Sequence, residues 1–468
     1  MPPLDTSMHK QHLRLALAMT TLAALSGGLL SVAAATPAAA ATGQYSADFN
    51  GDGYKDAVAP APEATVGGKW HAGAVGIVYG GPGGVGRTAS VSQNSSDVPG
   101  SAEEEDSFGA AVAVGDLNKD GYSDLVVGSP HESVGDDESA GAVVIVWGSA
   151  SGLKGATTVK DPAPTRHDNW GQALAIGDFT GDGRPDLAVG ATGTTQWIIK
   201  GAFSRSGSTG AKITYTTSWT GGAGVLRLTA GKVNTDAKAD LVIGGHAKIG
   251  SERYLDHNHL YYGTASAPTR KSELPYGTKL AIADLNKDGY GDIVTGWTQT
   301  ATGGDLAATG HARISYVSSS GVSSSAGLPW PGIPSAGDIN GDGYKDLALG
   351  DPEDSTDDVV SGAVRILYGT ARGLTSDAVT LTQNAAGVPG SGERNDFFGD
   401  GTLLTDLNKD GRADLLAGSD GENDFNGNVT VLKGSASGIT TSGATAYGPS
   451  AFGISTTGDP SLGRDLTG

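Results

Sequence analysis

Acidic side chains recur through the chain at a fixed spacing that suits the binding of a hard cation. A nine-residue pattern, Asp-x-Asn-x-Asp-Gly-x-x-Asp, begins at residues 48, 116, 178, 284, 338 and 406. Positions 1, 3, 5 and 9 offer carboxylate or amide oxygens, position 7 offers a backbone carbonyl, and the glycine permits a tight bend. Because calcium takes about six to eight oxygen ligands, the pattern predicts that Ca²⁺ is the cofactor, with about six ions per chain.

The predicted calcium ligands occupy the same four side-chain positions in each of the six loops. The third loop has Thr180 where the other loops have Asn, and its hydroxyl can take the place of the amide oxygen. The predicted ligands are Asp48, Asn50, Asp52, Asp56, Asp116, Asn118, Asp120, Asp124, Asp178, Thr180, Asp182, Asp186, Asp284, Asn286, Asp288, Asp292, Asp338, Asn340, Asp342, Asp346, Asp406, Asn408, Asp410 and Asp414.

The same residue types also make ordinary hairpin turns, since Asp, Asn and Gly favour them. One copy would be ambiguous, but six copies with acids at the same positions favour a metal site. An EF-hand would need a Glu at position 12 between two helices. Here position 12 is apolar in all loops but one, where it is Thr295, and both flanks have the composition of strands, so the EF-hand is excluded.

A decayed copy of the pattern, KVNTDAKAD, occupies residues 232–240. Lys232 replaces the first Asp and Ala237 replaces the Gly. A cation would therefore meet an ammonium group and a stiffer turn. We predict that this fourth loop binds no metal and that Lys232 stands in the place of the ion.

Together with this copy, seven units follow one another at spacings of 52–68 residues. Most have an aromatic residue eight positions before the loop, usually followed by Gly, as in Phe108-Gly109 and Phe398-Gly399. The short β-branched runs with Gly-rich boundaries predict four strands per unit. Seven small sheets that bury their faces against one another predict an all-β fold, a seven-bladed β-propeller with calcium-binding hairpin loops. A linear array or several β-sandwiches is the alternative.

The two ends of the chain predict how it is processed and how the ring closes. Residues 1–41 carry Lys10 and Arg14, then a diluted apolar run and small residues, as in a secretory signal peptide. The propeller is then expected over residues 42–468. The first copy lacks its aromatic strand, whereas Phe452-Gly453 has no loop behind it, so we expect residues 449–459 to pair with the first blade and close the ring.

Composition narrows the expected partners and location. A net charge of −20 argues against nucleic acid, whose phosphates attract Lys and Arg. With no cysteine, metal is the expected replacement for the disulfides of many secreted domains. We expect a secreted, extracellular monomer without a membrane span, and no enzyme, since the common catalytic motifs are missing.

His257 and His259 alternate along a strand and could bind a metal, although such residues are more often packed at a strand end.

The aromatic-Gly strand, the nine-residue loop and a following Gly-Ala-Pro-like end resemble the FG-GAP repeats of integrin α-subunit heads. Bacterial-type secreted FG-GAP or VCBS repeat proteins are similar. Residues 108–130, from Phe108-Gly109 to Gly128-Ser129-Pro130, are the fullest match, and the likeness covers residues 45–468. It implies calcium hairpins on one face of the propeller and ligand contacts on the opposite face. It also implies an extracellular binding or adhesion module.

Acidic loops are expected on the face opposite the calcium hairpins. They lie within residues 93–109, 130–141, 351–362 and 383–399. A negative rim suits cationic or hydroxyl-rich ligands or a bridging cation, so the expected partner is an extracellular protein or glycan. Alternatively, the acids only keep the protein soluble. The residues predicted to contact the ligand are Glu103, Asp106, Asp136, Asp137, Asp357, Asp358, Glu393 and Asp396.

Two functions other than binding stay open at the level of sequence. One is a carbohydrate-active or other hydrolase or lyase built on a propeller, because a pair of catalytic carboxylates carries no signature in a single sequence. The other is a purely structural matrix protein.

Overall fold

The computed structural model describes residues 46–217, 224–249, 253–296, 299–302, 305–308 and 310–468. The signal peptide predicted over residues 1–41 lies outside the described residues. The strands of the described part form seven antiparallel sheets arranged as the blades of a propeller, together with one small two-stranded hairpin. The predicted all-β, seven-bladed fold is therefore confirmed.

The first three blades follow the chain order of their strands. Blade 1 contains β1 (Ala57–Ala61), β2 (Ala74–Gly81) and β3 (Gly84–Val91). Blade 2 contains β4 (Ala111–Gly115), β5 (Asp124–Ser129), β6 (Ala142–Val146) and β7 (Ala156–Thr158). Blade 3 contains β8 (Ala173–Gly177), β9 (Asp186–Gly190), β10 (Thr195–Ile199) and β11 (Lys212–Thr216).

The next two blades share an additional hairpin. Blade 4 contains β12 (Val225–Gly231), β13 (Asp240–Ile249), β14 (Arg253–Tyr262) and β15 (Thr269–Leu274). Blade 5 contains β16 (Lys279–Ala283), β17 (Asp292–Gly296), β20 (Arg313–Ser318) and β21 (Gly321–Gly327). Between β17 and β20, the hairpin of β18 (Gln299–Thr302) and β19 (Asp305–Ala308) leaves blade 5 and pairs with β14 of blade 4.

The last two blades are again regular. Blade 6 contains β22 (Ile333–Gly337), β23 (Asp346–Asp351), β24 (Ala363–Leu367) and β27 (Val379–Leu381). The small hairpin of β25 (Gly369–Thr370) and β26 (Gly373–Leu374) precedes β27. Blade 7 contains β28 (Phe398–Thr405), β29 (Asp414–Ser419), β30 (Asn428–Lys433) and β31 (Thr440–Tyr447). Two short helical turns complete the described elements, α1 (Glu422–Phe425) and α2 (Pro449–Phe452). No helix of the described part is long and apolar enough to cross a membrane.

The hydrophobic core lies between the blades. Seven clusters of buried side chains each join two neighbouring blades. Between blades 2 and 3, for example, one cluster contains Trp147, Trp170 and Trp197. The rings of Trp170 and Trp197 pack edge to face with centroids 5.4 Å apart. Both faces of an inner strand are buried because each blade has a neighbour on either side, which explains the nearly continuous apolar runs.

The seventh cluster closes the ring between blade 7 and blade 1. The last residues of the chain run beside β1, where Val58 and Thr467 exchange backbone hydrogen bonds of 2.6 and 3.0 Å. This segment takes the place of the innermost strand that blade 1 lacks. Propeller edges that would otherwise stay unpaired are thereby joined.

The closing strand differs from the one expected from the sequence. Residues 449–459 do not form a strand of blade 1, because Pro449 begins the helical turn α2. Phe452 is instead buried in the hydrophobic cluster between blades 7 and 1. The aromatic-Gly pair of the closing repeat is instead Leu462-Gly463. Leu462 forms a parallel bridge with Gly427, as Phe398 does with Gly362, and Gly463 has a φ of 102° against 97° for Gly399. Because Leu462 stands where the other repeats have an aromatic residue, the sequence pattern did not identify this strand.

Candidate calcium loops and the opposite face

Five of the six predicted calcium loops are hairpins between the first two strands of a blade, and the first loop lies directly before β1, so all six lie on one face of the propeller. Neighbouring loops touch. Lys119 donates from Nζ to the carbonyl of Gly183 in the next loop at 3.0 Å. The ammonium groups of Lys287 and Lys409 lie over the rings of Tyr344 and Tyr54, 4.4 and 5.8 Å from the centroids. The loops therefore form a connected rim.

Six of the loops share one backbone conformation. Position 6 is always a glycine in the left-handed region, with φ of 80–91° at Gly53, Gly121, Gly183, Gly289, Gly343 and Gly411. Position 4 is also left-handed, with φ of 60–74°, whether it is Gly or Lys. Two left-handed residues two positions apart bend the chain back on itself, so that its side chains and carbonyls surround a small space.

The acids of the loop hold this bend with their own oxygens. In all six loops the first Asp accepts a hydrogen bond from the amide of the position 6 glycine, at 2.8–3.0 Å. The Asp at position 5 accepts one from the amide of position 7, at 2.9–3.1 Å. Each carboxylate has further lone pairs free for a cation.

The closing Asp at position 9 is fully buried in every loop. In loop 2, for example, Asp124 accepts hydrogen bonds from the amides of Leu117 and Gly148, at 3.0 and 2.9 Å. Burial raises the pKa of Asp56 and of Asp124 to about 7, an effect that these backbone hydrogen bonds oppose and the other acids of each loop reinforce. Asp240 of the fourth loop has the same environment, and its pKa is raised to about 6. The closing Asp thus has a structural role even where no metal is expected.

The donor set of the six loops fits calcium. All side-chain donors are hard oxygens, which suit Ca²⁺ and not softer metals. Two buried oxygens at predicted ligand positions, Oγ1 of Thr180 and Oδ2 of Asp414, make no hydrogen bond of normal geometry in the described part of the chain. A buried oxygen without a partner is costly, and a cation would satisfy it.

The fourth loop has a different conformation. Neither Thr235 nor Ala237, at positions 4 and 6, is left-handed. Lys232 turns into the loop and donates from Nζ to the carbonyl of Asp236 at 2.9 Å. An ammonium group therefore contacts a loop oxygen where the other loops have only acceptors.

The acids predicted to bind a ligand are divided by the structure. Glu103, Asp136, Asp358 and Glu393 are exposed, and Asp137 and Asp357 are partly exposed. Asp106 and Asp396 are buried, which corrects their assignment as ligand contacts. Their carboxylates accept hydrogen bonds from the amides of Glu103 and Glu393, at 2.6 and 2.5 Å. These bonds stabilise the turn before the aromatic-Gly strand.

Trp70 is an exposed aromatic residue on the face opposite the predicted calcium loops. The sequence analysis did not identify it. Its ring is 48% exposed and stacks on His71 with centroids 3.5 Å apart. The Trp70 carbonyl accepts a hydrogen bond from the amide of Glu105, which joins its loop to the acidic segment at residues 103–105. No spacing marks this residue, since the corresponding loops of blades 2, 3, 6 and 7 carry no Trp; only its exposure reveals it.

The fold defines the class of the chain as an all-β, seven-bladed β-propeller. The FG-GAP repeat model matches residues 108–146, 170–210 and 398–432. Bovine (Bos taurus) phosphatidylinositol-glycan-specific phospholipase D is 37% identical over 150 residues, 31% of this chain and 18% of the relative. Integrin alpha-PS5 of Drosophila melanogaster is 35% identical over 164 residues, 33% of this chain and 15% of the relative.

Human (Homo sapiens) integrin alpha-6 is 41% identical over 86 residues, 18% of this chain and 8% of the relative. The similarity to these relatives covers less than one fifth of their length.

Proposed function

We propose that this protein is a secreted, calcium-binding β-propeller that acts as an extracellular binding or adhesion module. One observation carries the calcium proposal. Six loops share the double left-handed bend and an all-oxygen donor set, while the one copy without the bend has a lysine in the place of the first ligand. The Asp and Asn or Thr side chains at positions 1, 3, 5 and 9, with the carbonyl of position 7, would hold the ion.

Bound calcium would replace the missing disulfides as a source of stability. It would neutralise acids that face one another across each bend and join the two strands of the hairpin. At about 1 mM calcium, a site with a Kd of about 10⁻⁴–10⁻³ M adds about 0.4–1.4 kcal/mol to the free energy of unfolding. Six such sites would contribute about 2–9 kcal/mol, comparable to the stability of a domain.

The calcium proposal is tested by counting ions and by removing them. We expect about six Ca²⁺ per chain when the protein is dialysed to equilibrium against calcium well above the Kd and the excess over the buffer is counted, and a lower melting temperature in chelator. Asp288→Asn should remove one ion. Asp236→Asn is the matched control, since it changes the same position of the fourth loop and should leave the count unchanged. A count that falls equally in both variants, or a melting temperature indifferent to chelator, would overturn the proposal.

The binding proposal places the ligand on the face opposite the calcium loops. It is supported by the similarity to integrin alpha subunits and by the exposed Glu103, Asp136, Asp358 and Glu393 and the exposed ring of Trp70, all in loops of that face. Carboxylates and an accessible aromatic ring on one face suit a glycan, whose hydroxyls donate and whose C–H groups stack, or a basic segment of an extracellular protein.

This second proposal is tested by a glycan array probed with and without calcium, together with binding to immobilised extracellular matrix. Trp70→Ala and Glu103→Gln should each weaken binding while leaving the melting temperature unchanged. Asp377→Asn is the control, because this exposed acid lies at the opposite end of blade 6, on the calcium side. Loss of binding in the control but not in the two variants would mean that the calcium face is the binding face.

A further inference from the structure

A histidine and glutamate cluster lies on blade 4, away from the nine-residue loops. His257 and His259 alternate along β14, so their side chains point to the same face of the sheet. Glu273 lies on the neighbouring β15, directly opposite His259 in the register of the two strands. Two adjacent strands therefore bring two imidazoles and one carboxylate together.

The three side chains are close enough to share one ion. One ligand atom of each lies within 4.8 Å of the other two. Nδ1 of His257 and Oε1 of Glu273 are 3.0 Å apart. A tetrahedral zinc ion with bonds of about 2.0–2.1 Å holds its ligand atoms about 3.3 Å from one another. The ligand atoms of His257 and Glu273 are already near this distance. Small side-chain rotations would bring the ligand atom of His259 to a similar distance from both.

Burial and exposure also suit a metal site that opens to solvent. His259 is 4% exposed, so one of the three ligands would lie within the sheet, shielded from bulk solvent. The Glu273 side chain is 53% exposed and leaves a path to solvent. The ring of Tyr276 packs edge to face on His257 with centroids 5.1 Å apart and limits its orientation.

One positive charge competes for this site. Nη2 of Arg270 is 2.9 Å from Nε2 of His259. A cation that binds through this nitrogen has to displace the guanidinium, and the remaining positive charge would weaken its binding. The end of an arginine side chain can rotate away, so the contact sets the affinity of the site and does not close it.

We propose that His257, His259 and Glu273 bind a divalent transition metal of the zinc class, with water completing its coordination. The donor set separates this site from the calcium loops. Imidazole nitrogen is a good ligand for zinc, copper and nickel, whereas calcium takes oxygen. The proposal is independent of the calcium loops, because none of its three residues belongs to them.

The test uses the full chain saturated with calcium and titrated with Zn²⁺ by calorimetry. We expect one Zn²⁺ per chain that millimolar calcium does not displace. His257→Ala and Glu273→Gln should each weaken zinc binding by at least about tenfold, and Arg270→Gln should strengthen it. His311→Ala, an exposed histidine outside the cluster, should change nothing.

Since both His257 and Glu273 are at least partly accessible, their variants should fold, and the melting temperature in calcium verifies this. Zinc binding that is absent, that calcium displaces, or that persists in the His257→Ala/Glu273→Gln double variant would overturn the proposal. In that case the cluster is an ion pair and hydrogen-bonded packing only.

Discussion

Glu132 is a carboxyl group whose ionisation is controlled by its neighbours in blade 2, on the face opposite the predicted calcium loops. Its Oε2 accepts a hydrogen bond from Nε2 of Gln93 at 2.5 Å. Burial raises the pKa of Glu132 to about 7, the charges of Asp106 and Glu103 raise it further, and the Gln93 hydrogen bond opposes them. Gln383 and Glu422 repeat this pair between blades 6 and 7, and burial likewise raises the pKa of Glu422.

The raised pKa of Glu132 predicts a pH dependence of stability. The folded protein holds a proton on Glu132 that the unfolded chain releases above its ordinary pKa of about 4.3. The contribution of Glu132 is therefore fully present below that value and is lost as the pH rises toward about 7. Glu132→Gln should have nearly the wild-type melting temperature at pH 5 and a higher one than wild type at pH 7.5.

Thermal melts of both proteins at the two pH values, in excess calcium, measure this difference. Glu138→Gln, an exposed acid of the same loop, is the control and should show no change with pH relative to wild type. Equal shifts for the two variants would show that Glu132 ionises without cost.

At the scale of the element, the glycine at position 6 of each loop tolerates substitution least, because its backbone is in the left-handed region. Gly121 has a φ of 91°, and a Cβ added there would meet no atom within 4 Å. Substitution would therefore report on backbone strain alone. The fourth loop, where Ala237 occupies this position, avoids the strain by abandoning the left-handed conformation and with it the cradle for an ion.

Gly121→Ala should lower the free energy of unfolding by about 1–2 kcal/mol, the cost of placing an L-residue in the left-handed region. It should also weaken calcium binding in loop 2 in proportion. Gly83→Ala is the matched control, because Gly83 also has no atom near the added Cβ but its φ lies outside the left-handed region. Chemical denaturation measures the free energy of unfolding of both variants. An equal loss in the two variants would contradict the argument from backbone strain.

At the scale of the whole molecule, the closing strand unites residues from distant parts of the chain. Arg464 donates from Nη1 to Oε1 of Glu63 and from Nε to Oδ2 of Asp420, both at 2.8 Å, and so joins blades 1 and 7. Asp465 forms a buried ion pair with Lys279 of blade 5, across the centre of the propeller. The last seven residues thus contact three blades.

A chain that ends at residue 461 should lose these contacts and expose the inner edge of blade 1. We expect aggregation or a large drop in melting temperature, more than the loss of a frayed terminus would cause. Thr467→Pro is a milder probe, because it removes the amide that donates to the Val58 carbonyl and leaves the rest of the segment in place. Size-exclusion chromatography and thermal melts should place this variant between the truncated and wild-type proteins. A truncated chain that stays monomeric and melts like the wild type would refute this closure.

The sequence alone determined the number of blades and the position of every hairpin loop. These features depend on residues close in the chain, such as Asp116 and Gly121, and they recur, so that seven weak local signals reinforce one another. Even the departure of the fourth loop was visible, because Lys232 and Ala237 change the local chemistry.

Tertiary structure alone decided the features that depend on contacts between distant residues. Leu462-Gly463 closes the ring because of its contact with blade 7, which its residue types do not announce. Asp106 and Asp396 look like surface acids in the sequence but are buried by the turn that they stabilise. The exposure of Trp70 and the meeting of His257 with Glu273 likewise follow from how loops and strands lie side by side, which no local spacing records.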